Sequence, residues 1–487
     1  MSSSGAWHKG HASNSSKRRL RAGFSITTLG PPSTPRGAHS CTPGLEPCWT
    51  SPVGQSRPEP TLICGPMRAK QLTPETADEC ASHLLTVVSR KVPTRRKFLP
   101  FSPPLIGQEE IDEVAESLRS GWITTGPKAA RFEAEFGRFV GAEGALALNS
   151  GTAALHLGLV VLGVGENNTV VSTPMTFASC IHVIEHTGAR PLLVDVEPET
   201  LNIDPAAVYK ALAGDGARRV KAILPVHLYG QPCDMDALLS LADSRDAGIV
   251  EDAAHSLPAT YKGRMIGATD AKHPKRLVAF SFYATKNLTT GEGGMLTGPQ
   301  DLIDTARIWS LHGMSRDAYS RYSAEGSWFY EVVAPGFKYN ISDIQAAIGI
   351  QQLARLGAMQ QRRREIVRLY QAGLQDLDAL TLPLAGPGVE HAWHLYVIRL
   401  NLDRLTIDRS RFIEELRGRN IGTSVHFIPV HLHPFYRDKY GYKPDDFPVA
   451  YREYQRIVSL PLYPRMTGPD AGDVVDAVRD VVKAFRR

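Results

Sequence analysis

Hydrophobic and polar residues follow two alternating patterns along the chain from residue 105 onward. Short apolar runs bounded by turn residues are typical of buried strands, whereas apolar residues spaced three or four apart are typical of helices. In residues 107–120, for example, Ile111, Val114 and Leu118 fall on one helical face. The patterns predict, in order, helices at 107–120 and 128–139, strand 145–148, helix 152–162, strand 170–173, helix 178–186, strand 191–195, helix 205–212, strand 222–225, helix 235–244 and strand 248–251.

This alternation predicts an α/β fold in which a mainly parallel sheet is covered by helices on both faces. The later part of the chain predicts two more strands of this sheet and then a smaller α+β domain. Its expected elements are strands 277–282 and 295–297, helix 302–311, a Gly-, Ser- and Tyr-rich loop at 312–335, a long helix at 342–377, strand 394–400, helix 408–420, strand 423–426 and a terminal helix from 469 onward.

The chain is therefore expected to have four parts. They are a disordered basic extension over 1–97, a large domain over 98–335, a linking long helix over 336–377 and a small C-terminal domain over 378–487. The extension is rich in Ser, Gly and Pro and carries 14 Lys and Arg against 5 Asp and Glu, whereas the remainder carries 41 against 45. The net charge of +5 thus comes from the extension.

The extension imitates two targeting signals, a basic transit peptide and a twin-arginine signal at Arg95 and Arg96. The proline-rich residues 100–104 that follow the arginines do not form the apolar segment that a twin-arginine signal needs. We interpret the extension as a dispensable tail or the product of a start codon placed too far upstream.

Composition excludes several classes of protein. With 43% hydrophobic and 22% charged residues, the chain is typical of soluble globular proteins, and no apolar run reaches the roughly 20 residues that span a bilayer. The folded part lacks the clustered Lys and Arg of a nucleic-acid-binding surface. The six cysteines form no CxxC pair, which argues against a disulfide framework or structural zinc. We expect a cytoplasmic protein with neither nucleic acid nor membrane as a partner.

Three motifs carry candidate chemistry, and each follows a predicted strand. Strand 145–148 ends in Asn-Ser-Gly-Thr-Ala-Ala, where glycine and the first N–H groups of a helix suit a single phosphate. Asp252 and His255 follow strand 248–251, at the edge where α/β sheets bind ligands. Lys286 follows strand 277–282, where burial lowers the pKa of an amine and prepares it as a nucleophile.

Each motif alone also has an ordinary structural explanation. The phosphate cradle could be a helix cap, His255 a satisfied buried histidine, and Lys286 a lysine that reaches water. Together the motifs match pyridoxal phosphate (PLP), because an aspartate can keep a pyridine nitrogen protonated, a helix N-terminus can hold the phosphate and a lysine can bind the aldehyde.

From Phe98 to its C-terminus the chain resembles the DegT/StrS family of PLP-dependent nucleotide-sugar aminotransferases, and within it the enzymes that form UDP-4-amino-4-deoxy-L-arabinose. The resemblance implies PLP-dependent fold type I. It rests on the ordered motifs FLPFSPP, SGWITTGPK, NSGTAALH, PVHLYGQPCDMDAL, EDAAHS, YKGRMIG, SFYATKN, EGG, GFKYNISDIQAAIG and AWHLYVIRL.

The resemblance also implies roles for eight residues. Lys286 falls on the lysine that binds PLP covalently and moves protons, and Asp252 falls on the partner of the pyridine nitrogen, so these two are the expected catalytic residues. The others are expected to bind the cofactor: His255 near its phenolic oxygen, Phe177 by stacking on its ring, Thr152, Ala153 and Ser281 at its phosphate, and Asn340 from the neighbouring subunit of a homodimer with shared active sites.

The implied reaction is transfer of an amino group from glutamate, which leaves as 2-oxoglutarate, to a nucleotide-linked keto-sugar. The expected position is C4 of a UDP-sugar, for cell-envelope polysaccharide, lipopolysaccharide or lipid A modification. Two alternatives stay open: transfer to C3 of a dTDP-keto-hexose, and a non-catalytic PLP-binding regulatory protein. The loop at 312–335 is expected to select the sugar.

Two segments depart from the family pattern, and one histidine group imitates a metal site. Residues 257–259 replace a small glycine-containing turn, and residues 270–276 resemble an insertion. His426, His431 and His433 stand close in sequence, but we expect no metal there. His426 is instead expected to contact the sugar nucleotide or the loop on the phosphate side.

Overall fold

A seven-stranded sheet forms the centre of the structure, a computed structural model that describes residues 95–214, 219–315 and 329–487. All but the last three residues of the predicted extension lie outside these ranges. The strands are β1 (Gly144–Leu148), β2 (Thr169–Ser172), β3 (Arg190–Leu193), β4 (Val220–Ile223), β5 (Gly248–Asp252), β6 (Thr260–Tyr261), β7 (Arg264–Met265), β8 (Arg276–Ser281), β9 (Gly294–Gly298), β10 (Leu380–Thr381), β11 (Val389–Glu390), β12 (Tyr396–Leu400) and β13 (Ile457–Leu460).

Helices surround this sheet and continue into the C-terminal part. They are α1 (Gln108–Ser120), α2 (Pro127–Val140), α3 (Gly151–Val161), α4 (Ser179–His186), α5 (Pro205–Ala213), α6 (Met235–Asp243), α7 (Gln300–Ser310), α8 (Asp343–Leu374), α9 (Arg409–Gly418), α10 (Pro434–Tyr440), α11 (Pro448–Tyr454) and α12 (Gly468–Phe485).

The central sheet is mainly parallel, as the sequence predicts. Its strand order is β1-β9-β8-β5-β4-β2-β3; β9 runs antiparallel to both of its neighbours, and the other adjacent pairs are parallel. Every residue of β2, β5 and β9 is buried, which is typical of strands covered on both faces. Parallel strands place their carboxyl ends along one edge, where ligands bind in such sheets.

Helix α8 joins the central sheet to the C-terminal part, and its first residue fixes the start of α2. The buried Asp343 carboxylate accepts N–H groups from Gly126 (2.7 Å), Lys128 (3.0 Å) and Ala129 (2.9 Å). An anion at a helix N-terminus is stabilised by the free N–H groups and the dipole. Gly349 lets α8 approach α2 closely, because a Cβ there would lie 2.6 Å from the Phe132 ring.

The C-terminal part contains a three-stranded antiparallel sheet in the order β10-β12-β13. The predicted strand at 423–426 is wrong: only Ser424 pairs with this sheet, by a bridge to Ser459. After that bridge the His426 side chain turns back to Ser459 and Pro429 follows, so no strand continues. The third strand is formed by residues 457–460 instead. The division of the chain into a large and a small domain stays a prediction.

Several short elements were not predicted from the sequence. They are the paired strands β6, β7 and β11, the short strand β10, and the seven-residue helices α10 and α11. Each is too short for its hydrophobic periodicity to be read. The ends of the predicted loop at 312–335 lie together, since Met314 pairs with Val332, while residues 316–328 are outside the described ranges.

Candidate active site

A cavity of about 500 Å³ opens where β5 and β8 end, beside the start of α3. The motifs predicted from separate parts of the sequence converge on it. Six of the eight predicted residues line it: Thr152, Phe177, Asp252, His255, Ser281 and Lys286. Ala153 and Asn340 do not.

Asp252 is the last residue of β5 and is buried at the floor of this cavity. Its Oδ1 accepts the N–H of Ala254 at 2.9 Å, and its Oδ2 accepts the thiol of Cys180 at 2.7 Å. Hydrogen bonds from neutral donors favour the ionised form of a carboxyl group and fix its rotamer. Asp252 is therefore an oriented acceptor in the cavity.

Lys286 lies in the turn that follows β8. Its N–H donates to the carbonyl of Tyr283 at 2.9 Å, which closes the turn. Burial lowers the pKa of Lys286 to about 8, although Asp252 and Cys180 act in the opposite direction. A substantial fraction of the amine is therefore unprotonated near neutral pH, as a nucleophile or general base requires.

The first turn of α3 forms part of the cavity wall, beside the end of β8. Ser150 caps the helix, since its Oγ accepts the N–H of Ala153 at 3.0 Å. Gly151 allows close packing, because a Cβ there would lie 2.8 Å from the Cβ of Ser281. The sequence offered a helix cap and a phosphate cradle as alternatives; the cap is present, and Thr152 and Ser281 still line the cavity.

His255 is held in one tautomer by the backbone. Its Nδ1 accepts the N–H of Tyr229 at 3.2 Å, so the proton of the neutral ring lies on Nε2. The ring packs against His394, with centroids 4.4 Å apart, and against Phe427 at 5.8 Å. Burial, and then the nearby Lys286, hold the pKa of His255 well below its usual value. The residue is therefore a neutral hydrogen-bond donor.

Phe177 lies at the mouth of the cavity, where its side chain is 60% exposed. Its ring lies 5.8 Å from that of Phe427. A large aromatic side chain left this exposed at a cavity is available to cover the face of a flat ligand.

Asn340 lies away from the cavity lining and pairs with Leu148 at the end of β1. Its side-chain amide donates to the Thr125 hydroxyl at 2.7 Å. An asparagine just before a helix can also serve as its N-cap, but the cap of α8 is Ser342, whose Oγ accepts the N–H of Gln345 at 3.3 Å. The expected role of Asn340 in a neighbouring subunit stays a prediction.

Two histidines without a predicted cofactor role also line the cavity, His394 and His426. The amide of Asn287 donates to the carbonyls of Leu257 (2.8 Å) and Ala392 (2.9 Å). Its Oδ1 is therefore an acceptor, and the contact at 3.2 Å assigns a proton to Nδ1 of His394. Nε2 of His394 then carries a lone pair when the ring is neutral.

The sequence signal for these additional residues differs in strength. His394 lies in the motif AWHLYVIRL, which supports the resemblance to the family but does not indicate a role for this histidine. The position of Cys180 beside Asp252 had no sequence signal, because 72 residues separate them. The sequence did place His426 near a substrate, and the structure puts it on the cavity. In the described ranges no group of three or more His, Cys, Asp or Glu residues is arranged to hold a metal ion.

The chemistry of these groups fits PLP. An oriented carboxylate (Asp252) stands ready for a ring N–H, and a lysine of lowered pKa (Lys286) for an aldehyde. Two hydroxyl side chains beside a helix N-terminus (Thr152 and Ser281) suit a phosphate, and His255 offers an N–H to a phenolate oxygen. The cavity is also large enough for such a ligand.

Comparisons with known proteins identify the family. The model of the DegT/DnrJ/EryC1/StrS aminotransferase family matches residues 104–479. The spore coat polysaccharide biosynthesis protein SpsC of Bacillus subtilis is 51% identical over 395 residues, which cover 80% of this chain and 99% of SpsC. Protein MJ1066 of Methanocaldococcus jannaschii, described as uncharacterized, is 50% identical over 393 residues, which cover 80% of this chain and all of that protein.

Solved structures agree with these relatives. Spr1654 of Streptococcus pneumoniae, a candidate sugar aminotransferase solved in its PLP form, superposes with a TM-score of 0.72 at 34% identity, over 80% of this chain and 99% of its own. PseC of Helicobacter pylori, an aminotransferase involved in pseudoaminic acid biosynthesis, has a TM-score of 0.72 at 25% identity, over 80% and 100% of the two chains.

These matches confirm the predicted fold type I, the predicted cofactor and the prediction that the protein is an enzyme. They also remove the alternative of a non-catalytic regulatory protein. The chain belongs to the DegT/DnrJ/EryC1/StrS aminotransferase family and is a PLP-dependent aminotransferase.

Proposed function

We propose that this enzyme transfers the amino group of glutamate to C4 of a UDP-linked keto-sugar, as a step towards a cell-surface polysaccharide or a modified lipid A. One observation carries the proposal: Lys286, with a lowered pKa, and the oriented Asp252 face a single cavity at the carboxyl ends of the central sheet. That pairing is what amino-group transfer with PLP needs.

The residues around the cavity would divide the work of holding the cofactor. When bound, PLP supplies an electron sink for the electron pair left on the α-carbon of the amino donor. Asp252 would accept the ring N–H, and His255 would donate its Nε2 proton to the phenolic oxygen. Thr152 and Ser281 would bind the phosphate at the start of α3; the N–H of Ala153, predicted for the same role, is already bonded to Oγ of Ser150. Phe177 would cover one face of the ring.

Lys286 would bind the cofactor aldehyde until the amino group of glutamate displaces it, and the freed amine would then move the proton during transfer. Because its pKa is lowered to about 8, part of the amine is free base near neutral pH and can accept the proton from the α-carbon of glutamate. The ammonium group so formed can return that proton to the cofactor carbon that carries the nitrogen. In the second half of the reaction the Lys286 amine would move the proton in the opposite direction, from the cofactor carbon to the carbon of the keto-sugar that receives the nitrogen.

A sugar acceptor is supported by the relatives, since SpsC belongs to polysaccharide biosynthesis and PseC to that of a sugar acid. The choice of a UDP-sugar and of C4 rests on the motifs that the chain shares with the enzymes of the arabinose branch. Transfer to C3 of a dTDP-keto-hexose is the second candidate. No described helix is long and apolar enough to cross a membrane. Because the proposed substrates are nucleotide sugars, we propose a cytoplasmic site of action.

We further propose that the enzyme acts as a homodimer in which Asn340 contributes to the neighbouring active site. Asn340 and Thr125 lie together at the end of β1, outside the cavity of their own chain. Large apolar side chains of the same segment are exposed, among them Val332 (64%) and Val333 (59%). An apolar surface beside an active site suits contact with a second copy, and a two-fold dimer repeats each contact in both sites.

The test is a screen of UDP- and dTDP-linked 4-keto and 3-keto sugars with isotope-labelled glutamate, read by mass spectrometry. We expect the label in a UDP-linked 4-amino sugar, with Lys286→Ala as the inactive control. Label in a dTDP-linked 3-amino sugar alone would select the second candidate. The label that reaches the sugar is on nitrogen; in a parallel assay with carbon-labelled glutamate, failure to exchange label with 2-oxoglutarate would refute glutamate as the donor.

A further inference from the structure

A buried thiol contacts the carboxylate that faces the cofactor site. Cys180 lies in the first turn of α4 and is completely buried. Its Sγ lies 2.7 Å from Oδ2 of Asp252 and 2.9 Å from the hydroxyl oxygen of Thr176. Cys180 does not line the cavity itself. Any effect of this thiol on a bound cofactor must therefore pass through its partners that line the cavity, the charged Asp252 and the neutral Thr176.

The direction of both hydrogen bonds follows from the chemistry of the groups. An ionised carboxylate only accepts hydrogen bonds, so the single proton of the thiol is donated to Asp252. The Thr176 hydroxyl must then donate to the sulfur. Burial, followed by the negative charge of Asp252, raises the pKa of Cys180 well above its usual value, so the thiol keeps its proton.

Two donors thus hold the Asp252 carboxylate, and they differ in kind. The Ala254 N–H belongs to the backbone and holds Oδ1, whereas the Cys180 thiol holds Oδ2. A carboxylate has about four lone-pair positions, so both oxygens keep capacity for one more donor from the cavity. Of these two contacts, only the one from the thiol can be removed by shortening a side chain.

We propose that Cys180 is a positioning residue for Asp252, which keeps the carboxylate turned towards the ring nitrogen of PLP. The inference rests on the proposed pairing of Asp252 with that nitrogen. Without the thiol, the carboxylate would lose one of its two protein donors. The side chain could then leave the rotamer that presents it to the ring N–H, which would lose its partner.

The experiment compares Cys180→Ala, which removes the donor, with Cys180→Ser, which keeps one. The control is Cys233→Ala, because Cys233 is also buried but donates to the carbonyl of Val226. PLP affinity of the apo-proteins is measured by fluorescence titration at about pH 8 and about pH 6, on either side of neutrality. This readout does not depend on turnover.

We expect Cys180→Ala to bind PLP about tenfold more weakly at both pH values, the usual effect of losing a hydrogen bond to a charged group. Cys180→Ser and Cys233→Ala should stay within about threefold of the wild type. Equal affinity of Cys180→Ala and wild type at both pH values would overturn the inference. So would an equal loss in the Ser and Ala variants, since that indicates packing alone.

A second measurement needs no substitution at Cys180. The infrared S–H stretching band of a thiol shifts to lower frequency when the thiol donates a strong hydrogen bond. We expect the wild-type protein to have an S–H band at lowered frequency, and this band to return to higher frequency in Asp252→Asn. The absence of a lowered band in the wild type would also overturn the inference. Failure of the wild type to bind PLP would instead count against the proposed function, so the two failures are distinguishable.

Discussion

The lowered pKa of Lys286 gives a quantitative prediction for the reactivity of its amine. With the pKa lowered from 10.5 to about 8, about 10% of the side chains are neutral at pH 7, against about 0.03% for an unperturbed lysine. The free-amine fraction of Lys286 is therefore about 300 times that of an ordinary lysine, so a reagent that attacks only free amines should label Lys286 faster than an ordinary lysine with the same access.

The perturbation is Asp252→Asn, which removes a charge that raises the pKa of Lys286. Because the loss of an anion disfavours the ammonium form, we expect the pKa of the variant to fall below that of the wild type. The assay is competitive isotope labelling of the PLP-free protein with acetic anhydride from about pH 6 to about pH 10, followed by peptide mass spectrometry. The rate of Lys286 should rise with a midpoint near 8.

An internal control is present in the same protein. Lys262 is exposed, and its pKa is raised by hydrogen bonds to Asp236 and Tyr261, so it should have a midpoint above that of an ordinary lysine and be insensitive to Asp252→Asn. A wild-type midpoint for Lys286 near that of Lys262 would refute the argument that burial outweighs the carboxylate. An upward shift of the Lys286 midpoint in Asp252→Asn would refute the argument that the charge of Asp252 raises the pKa of Lys286.

The remaining predictions concern the cofactor, the dimer and the fold. The purified protein should be yellow, borohydride should fix PLP on Lys286, and an adduct on another lysine would contradict the assignment. Lys286→Ala should abolish transfer but keep the circular dichroism and melting temperature of the wild type; appreciable turnover would refute its role. Mixing inactive Lys286→Ala with Asn340→Asp chains should restore activity in mixed dimers, and dimerisation without rescue would remove Asn340 from the shared site. Asp343→Ala should lower the free energy of unfolding in urea by about 2–4 kcal/mol, because it removes the acceptor of one buried and two part-buried N–H groups; a loss equal to that of an exposed control, Asp445→Ala, would contradict this.

The fold of the central part could be predicted from the sequence because its elements are long and strongly patterned. Helix α1 begins one residue from its predicted start, and β5 extends its predicted strand by one residue, Asp252. The antiparallel direction of β9 could not be read in the same way, since side-chain pattern does not record strand direction. The prediction of a strand at 423–426 was wrong because only Ser424 pairs with the sheet, by one bridge. A residue pattern does not distinguish one bridge from a full strand.

Much of the candidate site was accessible because its residues follow strands whose ends meet at one edge of the sheet. Lys286 and Asp252 could therefore be paired from the sequence alone. The contact of Cys180 with Asp252 could not, since it depends on how α4 packs against β5. The tautomers of His255 and His394 also lay beyond the sequence, because they are set by the backbone of Tyr229 and the amide of Asn287.

The bond between Asn287 and His394 has a consequence for how this enzyme can change during evolution. Asn287 stands next to Lys286 and uses both of its N–H groups on fixed carbonyls, so its oxygen is committed to the imidazole. Replacing either partner alone leaves a buried polar group without its mate, at a cost of about 1–3 kcal/mol. The two positions should therefore covary across descendants of this gene. A library that randomises both positions together should yield active pairs whose two single variants are each destabilised.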